Sequence, residues 1–229
     1  MNPPAAIHSQ CLMNINSTLM GLRKSLTIAI VLSTVLGANL TMATEEPKFE
    51  TVLKEDAFEI RRYPPLVVAT TLVPGDMDAA SNRGFRTIAD YIFGNNVATP
   101  AGASAKIAMT APVIVVPVIP AANAATSDMA AEQWQVQFVM PGQYRLDTLP
   151  RPKNEAVTLR ELPARTTAVL SYSWLNSETK VQQKIEDLRA WMKARQLEPL
   201  GAPRLARYDP PWTPPMWRRN EIQIDIRNP

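Results

Sequence analysis

The sequence predicts an α+β domain: a distorted antiparallel β-barrel or curved sheet carrying two helices, built from two halves each close to β-α-β-β in plan. Three observations point there. Short β-branched runs with period-two alternation recur along the chain, only two stretches after the first 43 residues show helical spacing, and the order strands, helix, strands occurs twice. No GxGxxG joins a strand to a helix, so a nucleotide-binding parallel sheet is excluded.

The chain opens on a targeting segment. Arg23 and Lys24 precede an apolar run, Leu26–Leu36, and Thr41-Met42-Ala43 places small residues three and one before a cleavage point. That run is too short for a comfortable membrane span. Residues 1–43 therefore read as a signal peptide, better formed from Met20 than from Met1, and 44–229 as a domain for the periplasm or the exterior. An uncleaved N-terminal anchor is the alternative.

Two exclusions follow. Of 24 Lys and Arg, Arg23 and Lys24 lie in the leader, which leaves 22 against 21 acids. A nearly neutral domain without a basic stripe is no partner for nucleic acid. The single His (His8) and single Cys (Cys11) also fall in the leader. The mature domain thus lacks the groups for Ser-His-Asp or Cys-His nucleophiles, for His or Cys zinc sites and for disulfides. With no G-x-S-x-G elbow, and with Asp147, Glu155 and Glu161 spread apart, an enzyme is disfavoured.

Phe49–Leu53 and Phe58–Tyr63 are predicted strands, and Pro64-Pro65 separates them from a third, Leu66–Val73. Asp76 or Asp78 caps a helix whose apolar residues Met77, Phe85, Ile88 and Ile92 recur at helical spacing until Gly94-Asn95-Asn96. Ala98–Ala105 is a loop. Val113–Ile119 is a buried strand that Pro117 pushes toward an edge or bulge. Residues 120–131 form an Ala-rich linker. Trp134, Val136, Phe138 and Met140 then alternate with glutamines as a half-buried strand. After an irregular Pro141–Asn154 come strands Ala156–Leu162 and Thr166–Trp174. A second helix follows, opened by Ser177 with the stripe Val181, Ile185, Leu188, Met192, and then strands Arg204–Tyr208 and Ile222–Ile226.

The stretch between the last two strands is unusual. Tyr208–Glu221 holds four prolines, which stiffen a loop, together with Trp212, Met216 and Trp217. Such a segment reads as a rigid flap over a ligand, or as a plug locking the end of a barrel.

Three segments together resemble the SOUL heme-binding protein family. They are Phe58-Glu59-Ile60-Arg61-Arg62-Tyr63-Pro64, followed by Phe85 with Tyr91-Ile92 and Gly94-Asn95; Lys106-Ile107-Ala108-Met109-Thr110-Ala111-Pro112-Val113; and Tyr208-Asp209-Pro210-Pro211-Trp212-Thr213 with Arg218-Arg219-Asn220-Glu221. The resemblance implies one domain of two βαβββ-like repeats, a fold shared with bacterial multidrug-sensing effector domains. It also implies haem or tetrapyrrole binding on an apolar surface near the first helix and the C-terminal loop. Carried over by position, the binding residues are Asn82, Phe85, Arg86 and Ala89 on the helix and Trp212 and Met216 in the loop. Some members carry a His near the start of that helix; here Asp76–Gly84 has none. Haem would then be held weakly or without axial ligation, by apolar contact and by Arg pairing with propionates, with Met216 or Tyr208 as the ligands left in the loop. The bland readings are that Phe85 is core, Arg86 a solvated charge and the tryptophans structural. The alternative partner is another small hydrophobic molecule.

Overall fold

In this computed structural model, residues 44–98, 102–119 and 131–227 are described. The expectations for the leader, for the middle of the Ala98–Ala105 loop and for residues 120–130 lie outside them. Among the described residues no helix is long and apolar enough to cross a membrane.

The charged run Glu50–Glu55 (β1) folds back on Phe58–Tyr63 (β2) through Asp56, which has a positive φ of 51°. Leu66–Pro74 (β3) leads into helix α1, Met77–Ile92. Two short strands, Asn96–Val97 (β4) and Arg151–Pro152 (β7), pair outside the main sheet. Val113–Pro117 (β5), Gln133–Val139 (β6), Thr158–Leu162 (β8) and Arg165–Tyr172 (β9) precede helix α2, Glu178–Ala194. Arg204–Arg207 (β10), a 3-10 turn at Pro215–Trp217 and Asn220–Ile226 (β11) complete the order.

Nine strands form one antiparallel sheet in the order β1-β2-β9-β11-β10-β5-β6-β3-β8. The sheet is neither closed nor strongly curled, which corrects the predicted barrel and curved sheet. Closure would require β1 to pair with β8, yet these edges carry Glu50, Lys54 and Glu55 on one side and Arg160 and Glu161 on the other. Charged edges resist further pairing. Pro117 sits in an interior strand of unbroken register, neither the edge nor the bulge expected for it. It is the last residue of β5 and lies past Val115, the final residue paired to β10, so its missing N–H is not needed there.

The strand order has an internal symmetry. Let β2, β3, α1, β5 and β6 form one half and β8, β9, α2, β10 and β11 the other. Exchanging the halves reverses the order from β2 to β8 and leaves it unchanged. Each half thus lends a strand to the other: β2 pairs with β9, and β8 with β3.

Period-two alternation divides the sheet into two faces. Ile60, Ala69, Val115, Trp134, Val136, Phe138, Ala168, Leu170, Leu205, Ile222 and Ile224 point to the helices and form one core with Ile88, Ile92, Ile185 and Leu188. Trp191, absent from the predicted stripe of α2, completes it by stacking on Phe58 at 5.2 Å. Helix α1 starts where the Asp76 carboxylate accepts from Ala79 N at 2.8 Å, and α2 where Ser177 accepts from Lys180 N at 3.3 Å. Replacing Asp76 by Ala removes this cap and is expected to lower stability by about 1 kcal/mol in urea unfolding.

The opposite face is buried too: Val68, Ile114, Val139 and Ala206 form a smaller apolar cluster there, and beside it lies a polar network. Arg61 donates from Nη1 and Nη2 to the Glu221 carboxylate (3.0 and 3.1 Å) and from Nε to Glu59 (2.6 Å). Tyr208 and Gln223 also donate to Glu221, at 2.8 and 2.9 Å. The stretch before β1 runs across this face. Glu45 O accepts from Ala111 N, its carboxylate accepts from Gly142 N, and the Phe49 ring lies 5.4 Å from that of Tyr63.

Candidate functional site

Helix α1 buries Met77, Ala80, Gly84, Ile88, Tyr91 and Ile92 and turns its other side outward. Asn82 and Arg86, one helical turn apart, are exposed there, and their side chains have no hydrogen-bond or ion-pair partner among the described residues. Phe85 stands at the margin of helix and sheet. Its ring is tilted against Phe138 at 5.4 Å, and the residue remains 36% exposed. It is therefore neither pure core nor free surface. Ala89 is buried and can only form the floor of such a site.

The C-terminal segment is held rigidly by its own backbone. Arg218 donates from Nε to Thr213 O (2.8 Å) and also to Pro211 O, while the Asp209 carboxylate accepts from Arg219 N (2.6 Å). Trp174 N donates to Pro215 O and Asn220 Nδ2 to Trp174 O, which fixes the segment to the turn after β9. Trp174 takes up this position at a φ of 95°, a strained conformation for a residue with a Cβ. Trp212 is 83% exposed, Trp217 74% and Met216 54%. A plug would bury these rings, so the plug reading is corrected. Trp174 and Leu175 are exposed beside them and were missed, because a strand-end Trp reads as core in a sequence.

The structure brings the two parts together only at their bases. Arg207 donates to Ser81 Oγ (3.2 Å) and reaches Asp78 (3.4 Å), so the segment leaves the sheet beside the first turns of α1. No described contact joins Trp212 or Met216 to Asn82, Phe85, Arg86 or Ala89. Tyr208 is not free to bind a metal. Its hydroxyl donates to Glu221, and burial together with that carboxylate pushes its pKa well up. Among the described residues no group of three or more His, Cys, Asp or Glu is arranged to hold a metal ion.

A cavity of about 620 Å³ lies elsewhere, between the starts of the two helices. Met77, Trp134 and Val181 line its apolar part and Asp76, Glu132 and Glu178 its acidic part. Carboxylates in that number repel an anionic porphyrin, so this space does not match the residues above.

The fold has solved counterparts of low identity. The C-terminal domain of EcmrR aligns at 14% identity and a TM-score of 0.52, covering 75% of this chain and 98% of that one. A hydrolase from Listeria innocua aligns at 13% and 0.50, covering 77% and 94%. EcmrR in a DNA complex aligns at 13% and 0.52, covering 94% and 69%. Identities this low show the fold alone. No curated protein sequence matches the chain. The family model described as SOUL heme-binding protein matches residues 44–225, and the chain belongs to that family, whose role is to bind haem rather than to catalyse.

Proposed function

We propose that the domain binds haem or a related tetrapyrrole on the outward face of α1, with the C-terminal loop as a second apolar surface and without a histidine ligand. The observation that carries this is the pairing of a partly exposed ring, Phe85, with the guanidinium of Arg86, which has no partner among the described residues. A flat macrocycle lies on the ring while its propionates meet Arg86, with Asn82 able to donate as well. Trp212 offers an exposed ring and Met216 an exposed thioether. With Tyr208 engaged by Glu221, Met216 is the one exposed candidate ligand in the loop. Binding by contact and charge follows, with weak or absent axial ligation. Cleavage after Ala43 would place this activity in the periplasm or outside the cell. The second reading is a different hydrophobic ligand. The acidic cavity between the helix starts favours it, and that ligand would be cationic.

Titrating the protein with hemin and following the Soret band tests the first reading. Phe85→Ala combined with Arg86→Glu is expected to weaken binding about tenfold or more, the equivalent of ~1.4 kcal/mol, with Trp212→Ala producing a smaller loss. A flat titration at micromolar hemin rejects the function. A normal titration in the double variant rejects only the site.

A further inference from the structure

A network of buried polar groups holds the strained Trp174 at the surface. Tyr172 Oη donates to Asn176 Oδ1 (2.7 Å), Asn176 Nδ2 to Asn220 Oδ1 (2.7 Å), and Asn220 Nδ2 to Trp174 O (2.9 Å). Asn176 and Asn220 are buried, so the backbone strain is offset from below while the ring above stays half exposed. Trp174 N in turn donates to Pro215 O (2.9 Å), which ties this turn to the loop of residues 210–218. The two segments together expose Trp174, Leu175, Trp212, Met216 and Trp217. An apolar patch fixed in this way marks a surface for a partner.

Three observations point to the kind of partner. The loop backbone asks little of water. Pro210, Pro211, Pro214 and Pro215 have no N–H. Their carbonyls and that of Thr213 all accept within the protein, from Thr213 N, Trp217 N, Trp174 N and Arg218. Unmet backbone groups are what keep irregular loops away from lipid, and few remain here. The charges beside the patch also balance, Arg218 and Arg219 against Asp209 and Glu46, so no charged partner is selected. What remains is apolar area dominated by tryptophan, the side chain that settles at the headgroup level of a bilayer. Finally, the chain enters the domain at this place. Glu46, three residues past Ala43, pairs with Arg219 at 2.5 Å, and Arg219 lies two residues past Trp217. The leader, whose apolar run at residues 26–36 is of the kind delivered to membranes, therefore joins the domain beside the patch.

We propose that the turn at Trp174 and Leu175 and the loop of residues 210–218 seat the domain on the surface of a lipid bilayer, with the rings at headgroup depth and the sheet in water. Apolar insertion carries the contact, so neutral lipid suffices. The docking does not rest on haem binding, since Trp174, Leu175 and Trp217 are not among the residues that meet haem.

Tryptophan quenching by phosphatidylcholine vesicles with brominated acyl chains tests this on the full chain. Residues 1–43 contain no tryptophan, so the whole signal comes from the domain. Trp134 and Trp191 are buried and supply an unquenched background. The parent's emission is expected to shift to the blue and to lose about half its intensity to the bromine, the share of the three exposed rings. Raised salt should leave this unchanged. Leu175→Asp with Trp217→Asp sets two carboxylates in the patch and is expected to reduce the quenching severalfold. Both positions are exposed; should the double variant fail to fold, Trp217→Asp alone serves, with a loss in the same direction. An unquenched parent overturns the proposal, as does quenching that vanishes in salt. Quenching that persists in the variant overturns it too, since the leader alone then explains the contact. A blue shift without quenching, in a protein of doubled mass, assigns the patch to a second copy and equally overturns it. The hemin titration reads the surface on α1, so its failure and the failure of this proposal are told apart.

Discussion

Arg61→Met is expected to destabilise the domain by about 3–5 kcal/mol at neutral pH, because it strands a buried carboxylate. Glu221 is 1% exposed and loses both charge-assisted bonds. Glu59 loses its shortest partner at the same time and keeps only Lys54, at 2.9 Å. The companion double variant, Arg61→Met with Glu221→Leu, should regain only part of this loss: the stranded Glu221 charge is gone, but Glu59 stays short of a partner and the Tyr208 and Gln223 donors lose their acceptor. Urea unfolding of the set measures both effects. The pH dependence has a definite sign. Burial would raise the Glu59 carboxyl, but hydrogen bonds from Arg61 and Lys54 outweigh it and hold the pKa below the ordinary value. Asp225 is likewise held low, burial being outweighed by Arg204. A carboxylate with a depressed folded pKa adds stability that is present above its unfolded pKa and lost as pH falls through the folded one. The parent should therefore lose stability from about pH 4.5 downward. In Arg61→Met the Glu59 part of that loss shrinks, and the gap between variant and parent narrows in acid.

Gly84→Ala is expected to cost about 1–3 kcal/mol, although alanine is the better helix former. A Cβ at position 84 would lie 2.4 Å from one γ-carbon of Val136, 2.6 Å from its Cβ and 3.1 Å from the other. Val136 is fully buried and branched at Cβ, so it cannot swing aside, and α1 would have to lift from β6. Combining Gly84→Ala with Val136→Ala should be less damaging than the sum of the two, with a coupling of roughly 0.5–3 kcal/mol in a double-mutant cycle. If the two costs simply add, the close approach is not what Gly84 provides.

Local signals carried the elements well. Phe58–Tyr63 is a strand over its predicted span, Asp76 and Ser177 cap the helices they precede, and the glutamines of β6 alternate with its core residues. Each of these is encoded within a few residues. The polar face was not legible in the same way. Glu59, Arg61 and Tyr63 alternate on β2, so their shared side could be read, but their partner Glu221 lies 160 residues from Arg61. In the sequence Glu221 invites pairing with the nearby Arg218 or Arg219; instead Arg218 caps loop carbonyls and Arg219 reaches Glu46 at 2.5 Å. The openness of the sheet was hidden for a related reason. Strand count and alternation are the same in a barrel and in a flat sheet, and only the pairing order separates them. Of the helix residues carried over from the family, Asn82, Phe85 and Arg86 reach the surface, while Ala89, on the same stripe, is shielded by packing that spacing does not reveal.

The exchange of strands between the halves bears on how the polypeptide comes to be folded at all. Phe58 pairs with Leu170 and Leu66 with Leu162, so neither half can finish its own sheet. Such pairings bring together segments far apart in sequence, and the loop entropy must be lost before the contacts form. A chain emerging from the ribosome holds β2 and β3 with bare edges until β8 and β9 arrive. Acquisition of structure is therefore a late, concerted event rather than the stacking of two ready-made modules, and a fragment ending before β8 is expected to remain unstructured.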